Sequence, residues 1–243
     1  GLYGGAENFP ITINTNSAPG RELTIKPAPG VSSELYGFAD CIMKIYNHGS
    51  VIIDGSNETG GTSRNFMIES LIANGIPIWI GSADLVITDV TVKNCILSGG
   101  SLNTGYGVVN IFSGNTMGFS GKFSGITVKN NLLSNSSMGV YLYGQNSGTN
   151  NIISDNFIDT GGTGTIRDVG IYAEGSGGTS ISGNSILELD PSEGTDFGIY
   201  VSGCDSAVSI DRNRIGNIGY TGTFGYGGNG ISAEFNNGTV IIQ

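Results

Sequence analysis

One short pattern, returning at a nearly constant interval, restricts this chain more than any other feature. Two apolar β-branched residues stand one position apart, an Asn follows, and an Ile or Leu comes two positions after it. The pattern stands at Ile126, Val128, Asn131 and Leu133, and at Ile153, Asn156 and Ile158. It returns at Ile181, Asn184 and Ile186, and at Val208, Ile210, Asn213 and Ile215. Successive Asn positions lie 25, 28 and 29 residues apart. Earlier copies carry Cys95 after Val90 and Val92, and Ser56 after Val51 and Ile53. A second pattern, Gly-Val/Ile-Tyr, precedes the later copies at Gly139-Val140-Tyr141, Gly170-Ile171-Tyr172 and Gly198-Ile199-Tyr200. Gly230-Ile231-Ser232 opens one more.

Both patterns alternate with period two, so each is a short strand. Ile171 and Ala173 point one way, Tyr172 and Glu174 the other. A unit of this length cannot bury its apolar face alone, and stacking many copies gives a continuous core. A hairpin sandwich also has short strands, but it does not repeat one turn residue at one offset. The reading is all-β: a right-handed parallel β-helix, a solenoid of roughly eight rungs. Residues 1–243 form one such domain, and the repeats running to Gln243 point to a segment of a longer chain. Stacking about 4.8 Å apart aligns the Asn side chains in a column. There each amide can donate to one rung and accept from another, and Asn tolerates a left-handed turn. Asn131, Asn156, Asn184 and Asn213 are therefore structural, with Cys95 and Ser56 as small occupants of the same column.

Composition agrees. Glycine numbers 42 and charged residues only 12%, while 38% are hydrophobic, which fits tight turns around a real core and excludes a disordered chain. The net charge is −10 and the ten basic residues are scattered, which argues against nucleic acid. No apolar run reaches the length of a membrane helix. Cys41, Cys95 and Cys204 form no disulfide framework or zinc spacing and read as buried thiols.

The Asn-x-Ile repeats resemble those of parallel β-helix repeat proteins. The segments Leu23–Val31, Val51–Asn57 and Gly61–Asn65 resemble the openings of large secreted or surface β-helix proteins of Bacteroidetes-like bacteria. That resemblance implies an extracellular or bacterial cell-surface setting. It implies no particular activity.

Candidate sites follow from the columns. Tyr141, Tyr172 and Tyr200 share one offset, and Trp79 in Ile78-Trp79-Ile80 has a comparable place. Facing outward, such a strip can hold sugar rings; stacking on itself, it stabilises the coil. Glu174 and Glu234 share another offset with Ser202 between them, roughly 10 Å apart by rung spacing. They are the candidates for paired acid/base chemistry. Glu188, Asp190, Glu193 and Asp196 form the densest acidic stretch, an oxygen-rich loop suited either to solvent or to calcium. The lone His48 lies in a turn-like string. Nothing here combines into an acid/base constellation. The leading expectation is a non-catalytic stalk, adhesin module or filament unit of a secreted or surface protein. Its partners would be cell-surface glycans, neighbouring domains or its own copies end to end. The alternative is a carbohydrate-binding or polysaccharide-degrading protein, lyase-like or hydrolase-like, that uses the Tyr-lined face.

Overall fold

The computed structural model describes residues 8–14, 21–100, 105–146, 148–159, 166–189, 196–219 and 227–243. Among the described residues the chain winds through three long parallel sheets of eight, eight and seven strands, with a short two-stranded parallel sheet of Ile87–Thr88 and Phe123–Ser124 beside them. The first contains Ile11–Ile13, Cys41–Tyr46, Ile76–Ser82, Gly107–Ser113, Ser136–Tyr143, Ile166–Glu174, Phe197–Ser202 and Asn229–Glu234. The second contains Leu23–Ile25, Val51–Asp54, Val90–Lys93, Thr127–Lys129, Asn151–Ser154, Thr179–Ser182, Val208–Asp211 and Val240–Ile242. The third contains Ser33–Gly37, Phe66–Ser70, Cys95–Ser98, Leu132–Ser134, Phe157–Asp159, Ser185–Leu187 and Arg214–Gly216. Each turn visits the three sheets in this order, so every strand hydrogen-bonds to its counterpart one turn away. Among the described residues no helix is long and apolar enough to cross a membrane.

The alternation seen in the sequence becomes an inside and an outside. Val109, Ile111, Val140, Leu142, Ile171, Ala173, Ile199 and Val201 fill the coil from the first sheet. Val92, Val128, Ile153, Ile181 and Ile210 do so from the second, and Ile68, Leu97, Leu133, Ile158 and Ile186 from the third. These residues are fully or almost fully buried. Apolar residues stack on each other turn after turn, so the core is a set of apolar columns.

The corner between the second and third sheets carries the Asn column. Asn131 donates Nδ2 to Asn156 Oδ1 at 3.1 Å, and its backbone N–H donates to the same oxygen at 3.0 Å. Asn156 engages Asn184 in the same way, and Asn184 engages Asn213. Each Nδ2 also reaches a backbone carbonyl of the preceding turn: Val92, Val128, Ile153 and Ile181 in order. The residue before each column member takes a left-handed conformation, at Asn94, Asn130, Asp155, Gly183 and Arg212. The sharp corner exposes backbone groups that no ladder serves, and the Asn amides serve them inside the protein. Each such bond contributes about 1 kcal/mol net, but each would cost more to leave unmade.

Ser56 departs from its expected place. Cys95 pairs in register with Phe66, so Phe66 holds the column position in that turn. The sequence offset is right as far as Asp54, which pairs with Lys93. A loop then intervenes before the third sheet, closed by Asn65 N–H donating to Gly55 O at 2.8 Å. Ser56 is buried at the base of that loop, its N–H held by Asp54 Oδ1 at 3.0 Å.

Candidate functional site

The outer face of the first sheet carries two adjacent columns. In one, Lys44 pairs with Trp79, Trp79 with Asn110, and Asn110 with Tyr141. The column continues through Tyr172 and Tyr200 to Ser232. Trp79 thus shares the Tyr column, with Asn110 between it and Tyr141. In the other column, Tyr143 is followed by Glu174, Ser202 and Glu234.

Asn110 interrupts the aromatic column without breaking its contacts. Its buried amide turns back onto Gly107, accepting the N–H at 2.8 Å and donating to the carbonyl at 2.5 Å. Phe112 fills the space. Its ring lies 5.4 Å from Trp79 and 5.6 Å from Tyr141, and it is fully buried although it points away from the coil interior. Gly81 makes room there, because a Cβ would stand 2.7 Å from Gly114 Cα and 2.9 Å from Trp79 Nε1. Cys41 and Ile76 complete this second apolar cluster, outside the coil.

A strap of chain after Ser113 covers this end of the strip. Trp79 Nε1 donates to Ser113 O at 3.2 Å, and Tyr46 hydroxyl donates to Asn115 Oδ1 at 2.9 Å. Lys44 Nζ lies 3.6 Å from the Trp79 ring centroid and 4.7 Å from that of Tyr46, and donates to Gly114 O at 2.6 Å. A cation over two ring faces with a carbonyl partner is a strong pin for a loop. Burial pushes the Lys44 ammonium below its ordinary pKa.

The other end is more open. Tyr172 and Tyr200 stack at 5.0 Å with 19° between their planes, and Phe197 meets Tyr200 edge-on at 5.1 Å. Both tyrosines are half-buried, whereas Trp79 and Tyr141 are 7% and 9% exposed. Tyr172 hydroxyl donates to Glu174 Oε2 at 2.6 Å. Glu234 accepts from Tyr200 hydroxyl at 3.3 Å and from Ser232 Oγ at 2.9 Å. Burial, and then the Glu174 carboxylate, push the Tyr172 phenol well up, and burial raises Tyr200 as well. Burial alone is the main cause that carries Tyr141 up to about 12. All three phenols stay protonated at neutral pH, and those of Tyr172 and Tyr200 donate to the carboxylates. The open end therefore offers two stacked ring faces beside two carboxylates that already hold phenol hydrogen bonds. It can meet apolar ring faces and accept further hydroxyl donors.

The other candidates fall elsewhere. Asp190 and Glu193 lie outside the described residues. Asp196 is fully buried rather than solvated, and its backbone carbonyl accepts Asn229 N–H at 2.8 Å. Glu188 is exposed in a left-handed conformation and accepts Asn217 Nδ2 at 3.4 Å. Among the described residues no three His, Cys, Asp or Glu side chains form a group that could hold a metal. His48 lies between Asn47 and Ser50, both left-handed, as a turn requires.

The three thiols are free and buried. Each donates to a carbonyl two residues away: Cys41 to Met43, Cys95 to Lys93 and Cys204 to Ser202. Burial lifts Cys41 and Cys95 to about 12 and raises Cys204. Two of the three also occupy corners. Cys95 N–H donates to Asn131 Oδ1 and Cys204 N–H to Asn236 Oδ1, both at 2.9 Å. The second corner escapes sequence reading because a single Asn there sets up no interval.

No curated protein and no solved structure matches the chain. The family model described as "Right handed beta helix region" matches residues 74–243, the larger part of the chain. Most strands of the stacked parallel sheets and the whole Asn column from Cys95 to Asn213 lie within that span, and the chain belongs to the right-handed beta helix family.

Proposed function

We propose that the chain is a non-catalytic, rigid segment of a secreted or cell-surface protein, serving as a stalk, adhesin module or filament unit. The observation that carries this reading is the bracing of the coil on two sides at once. Buried Asn amides link successive turns at one corner, and ring-to-ring contacts run from Trp79 to Tyr200 on one face. A rod braced this way resists extension and proteolysis, which suits service outside the cell. Neighbouring domains or further copies, joined end to end, are its natural partners, since a stack of like turns accepts another turn of the same kind. Glu174 and Glu234 fit a bracing role too, each holding a tyrosine hydroxyl of the strip. The test is a turnover assay against a panel of acidic and neutral polysaccharides, with limited proteolysis alongside. Resistance to protease without any turnover is expected; measurable cleavage would overturn the reading.

A second reading rests on the half-exposed Tyr172–Tyr200 pair, and it deepens the adhesive role. Stacked ring faces flanked by Glu174 and Glu234 suit the apolar face and hydroxyls of a sugar ring. Calorimetry against neutral glycans tests it. Binding that disappears in Tyr200→Ala supports it, and silence across the panel rejects it.

A further inference from the structure

The corner between the second and third sheets carries a feature unrelated to the tyrosine strip. The loop from Ser56 to Arg64 stands beside the coil and forms one wall of a cleft of about 470 Å³, with Gly60, Gly61 and Thr62 facing Lys93, Lys129 and Asp155. That volume lies within the range of small-molecule sites. The wall is anchored. Arg64 donates Nε to Asn130 O at 2.8 Å and Nη2 to Asn130 Oδ1 at 2.6 Å, and its guanidinium lies 4.7 Å from the Phe157 ring centroid. Its base is closed by Asn65 on Gly55 and by the Ser56–Ser63 hydroxyl contact at 3.2 Å.

Lys93 and Lys129 pair in register, one turn apart. Like charges opposite each other in neighbouring strands are unfavourable. The neighbouring acids relieve this unequally. Asp54 is buried and fixed, with Lys93 at 3.4 Å, Asn94 Nδ2 at 2.7 Å and Ser56 N–H at 3.0 Å. Among the described residues Lys129 has only Asp155 at 3.5 Å, and both side chains of that pair are about half exposed, 53% and 52%. Water screens such a pair until it contributes next to nothing. The amides of Asn94 and Asn130 are committed: Asn130 Nδ2 donates to Asn94 Oδ1 at 2.7 Å and to Thr62 O at 3.0 Å. Two of the chain's ten basic residues, Lys93 and Lys129, therefore line the cleft beside one carboxylate, Asp155, in a chain whose net charge is −10.

We propose that this cleft binds a sugar-sized ligand carrying one oxyanion (a carboxylate, a sulfate or a phosphate) between the Lys129 and Lys93 ammonium groups. The anion relieves the in-register repulsion of the two lysines, and the loop wall covers the rest of the ligand. Asp155 lies at the edge of the cleft and disfavours ligands with a second negative group on that side.

The experiment is titration calorimetry at low ionic strength with galacturonate, galactose 6-sulfate, galactose 6-phosphate, unmodified galactose and inorganic sulfate. At least one charged sugar should bind more tightly than both galactose and inorganic sulfate, and the preferred one identifies the anion. Lys129→Met alters an exposed side chain and should keep the wild-type melting curve. It should weaken that binding about tenfold, as loss of one charge-assisted hydrogen bond implies, with Lys129→Arg restoring most of it. Equal binding of galactose, equal binding of inorganic sulfate, no binding of any charged sugar, or unchanged affinity in Lys129→Met would each overturn the proposal.

Discussion

The Asn corner and the aromatic strip run along the same coil, yet they brace it by different physics. At the corner, each amide has fixed partners at about 3 Å, and no other residue has the same donor and acceptor on so short a stem. On the face, contact is between rings 5.0 to 5.6 Å apart at angles from 19° to 87°, so shape and area matter more than identity. From Asn131 to Asn213 the corner is uniform. The face tolerates an Asn in its column, because Phe112 from the neighbouring column fills the gap. Within the face there is a further contrast: the end near Trp79 is sealed under a strap, and the end near Tyr200 is half open.

These contrasts can be broken by substitution. Phe112→Ala empties a fully buried site outside the coil and should cost about 4 kcal/mol by denaturant unfolding. A loss under about 1 kcal/mol would show that the outer cluster is decorative. Asn156→Ala leaves the Asn131 N–H and the Val128 carbonyl buried without their partners. It should cost about 3 kcal/mol, and Asn156→Gln should fail to rescue it because the longer stem cannot reach the same groups.

Alkaline pH tests the buried phenols of the face. The Tyr141 phenol titrates at about 12 in the folded chain and near 10 when unfolded. Its raised value means the unfolded chain releases the proton first. The contribution is complete below about pH 10 and is lost as pH rises towards 12. Melting temperature should fall through that window, and fall less in Tyr141→Phe. The buried thiols of Cys41 and Cys95 act in the same direction and remain in both proteins. The smallest effect belongs to Tyr200→Phe. It removes one 3.3 Å hydrogen bond at the open end and should cost less than about 1 kcal/mol. A larger loss would mean that Glu234 braces the strip more than its geometry indicates.

What the sequence disclosed follows the same division. Period-two alternation and a recurring Asn are local signals, and they were enough to predict the parallel coil, the inward and outward residues, and the Tyr141–Tyr172–Tyr200 register. Longer-range features stayed hidden. Phe112 follows directly on the inward Ile111, and nothing in its type marks it as an outward residue. The loop after Gly55 moves Phe66 into the slot that spacing gave to Ser56. The cleft joins Arg64 to Asn130, 66 residues apart, and no motif marks such a meeting.

The Asn ladder also has a direction. Every Oδ1 accepts from the turn before it, and every Nδ2 reaches back to a backbone carbonyl, while the Nδ2 of Asn131, Asn156 and Asn184 also donates forward to the next Oδ1. The column is thus a polar line, with an accepting end and a donating end that are not interchangeable. A further turn stacked beyond Asn213 prolongs it only by presenting an Oδ1 to the Asn213 side. Two copies that met with like ends together would oppose acceptor to acceptor or donor to donor. Any continuation that preserves the corner is therefore head-to-tail, a heterologous contact that generates an open fibre unless the rotation closes.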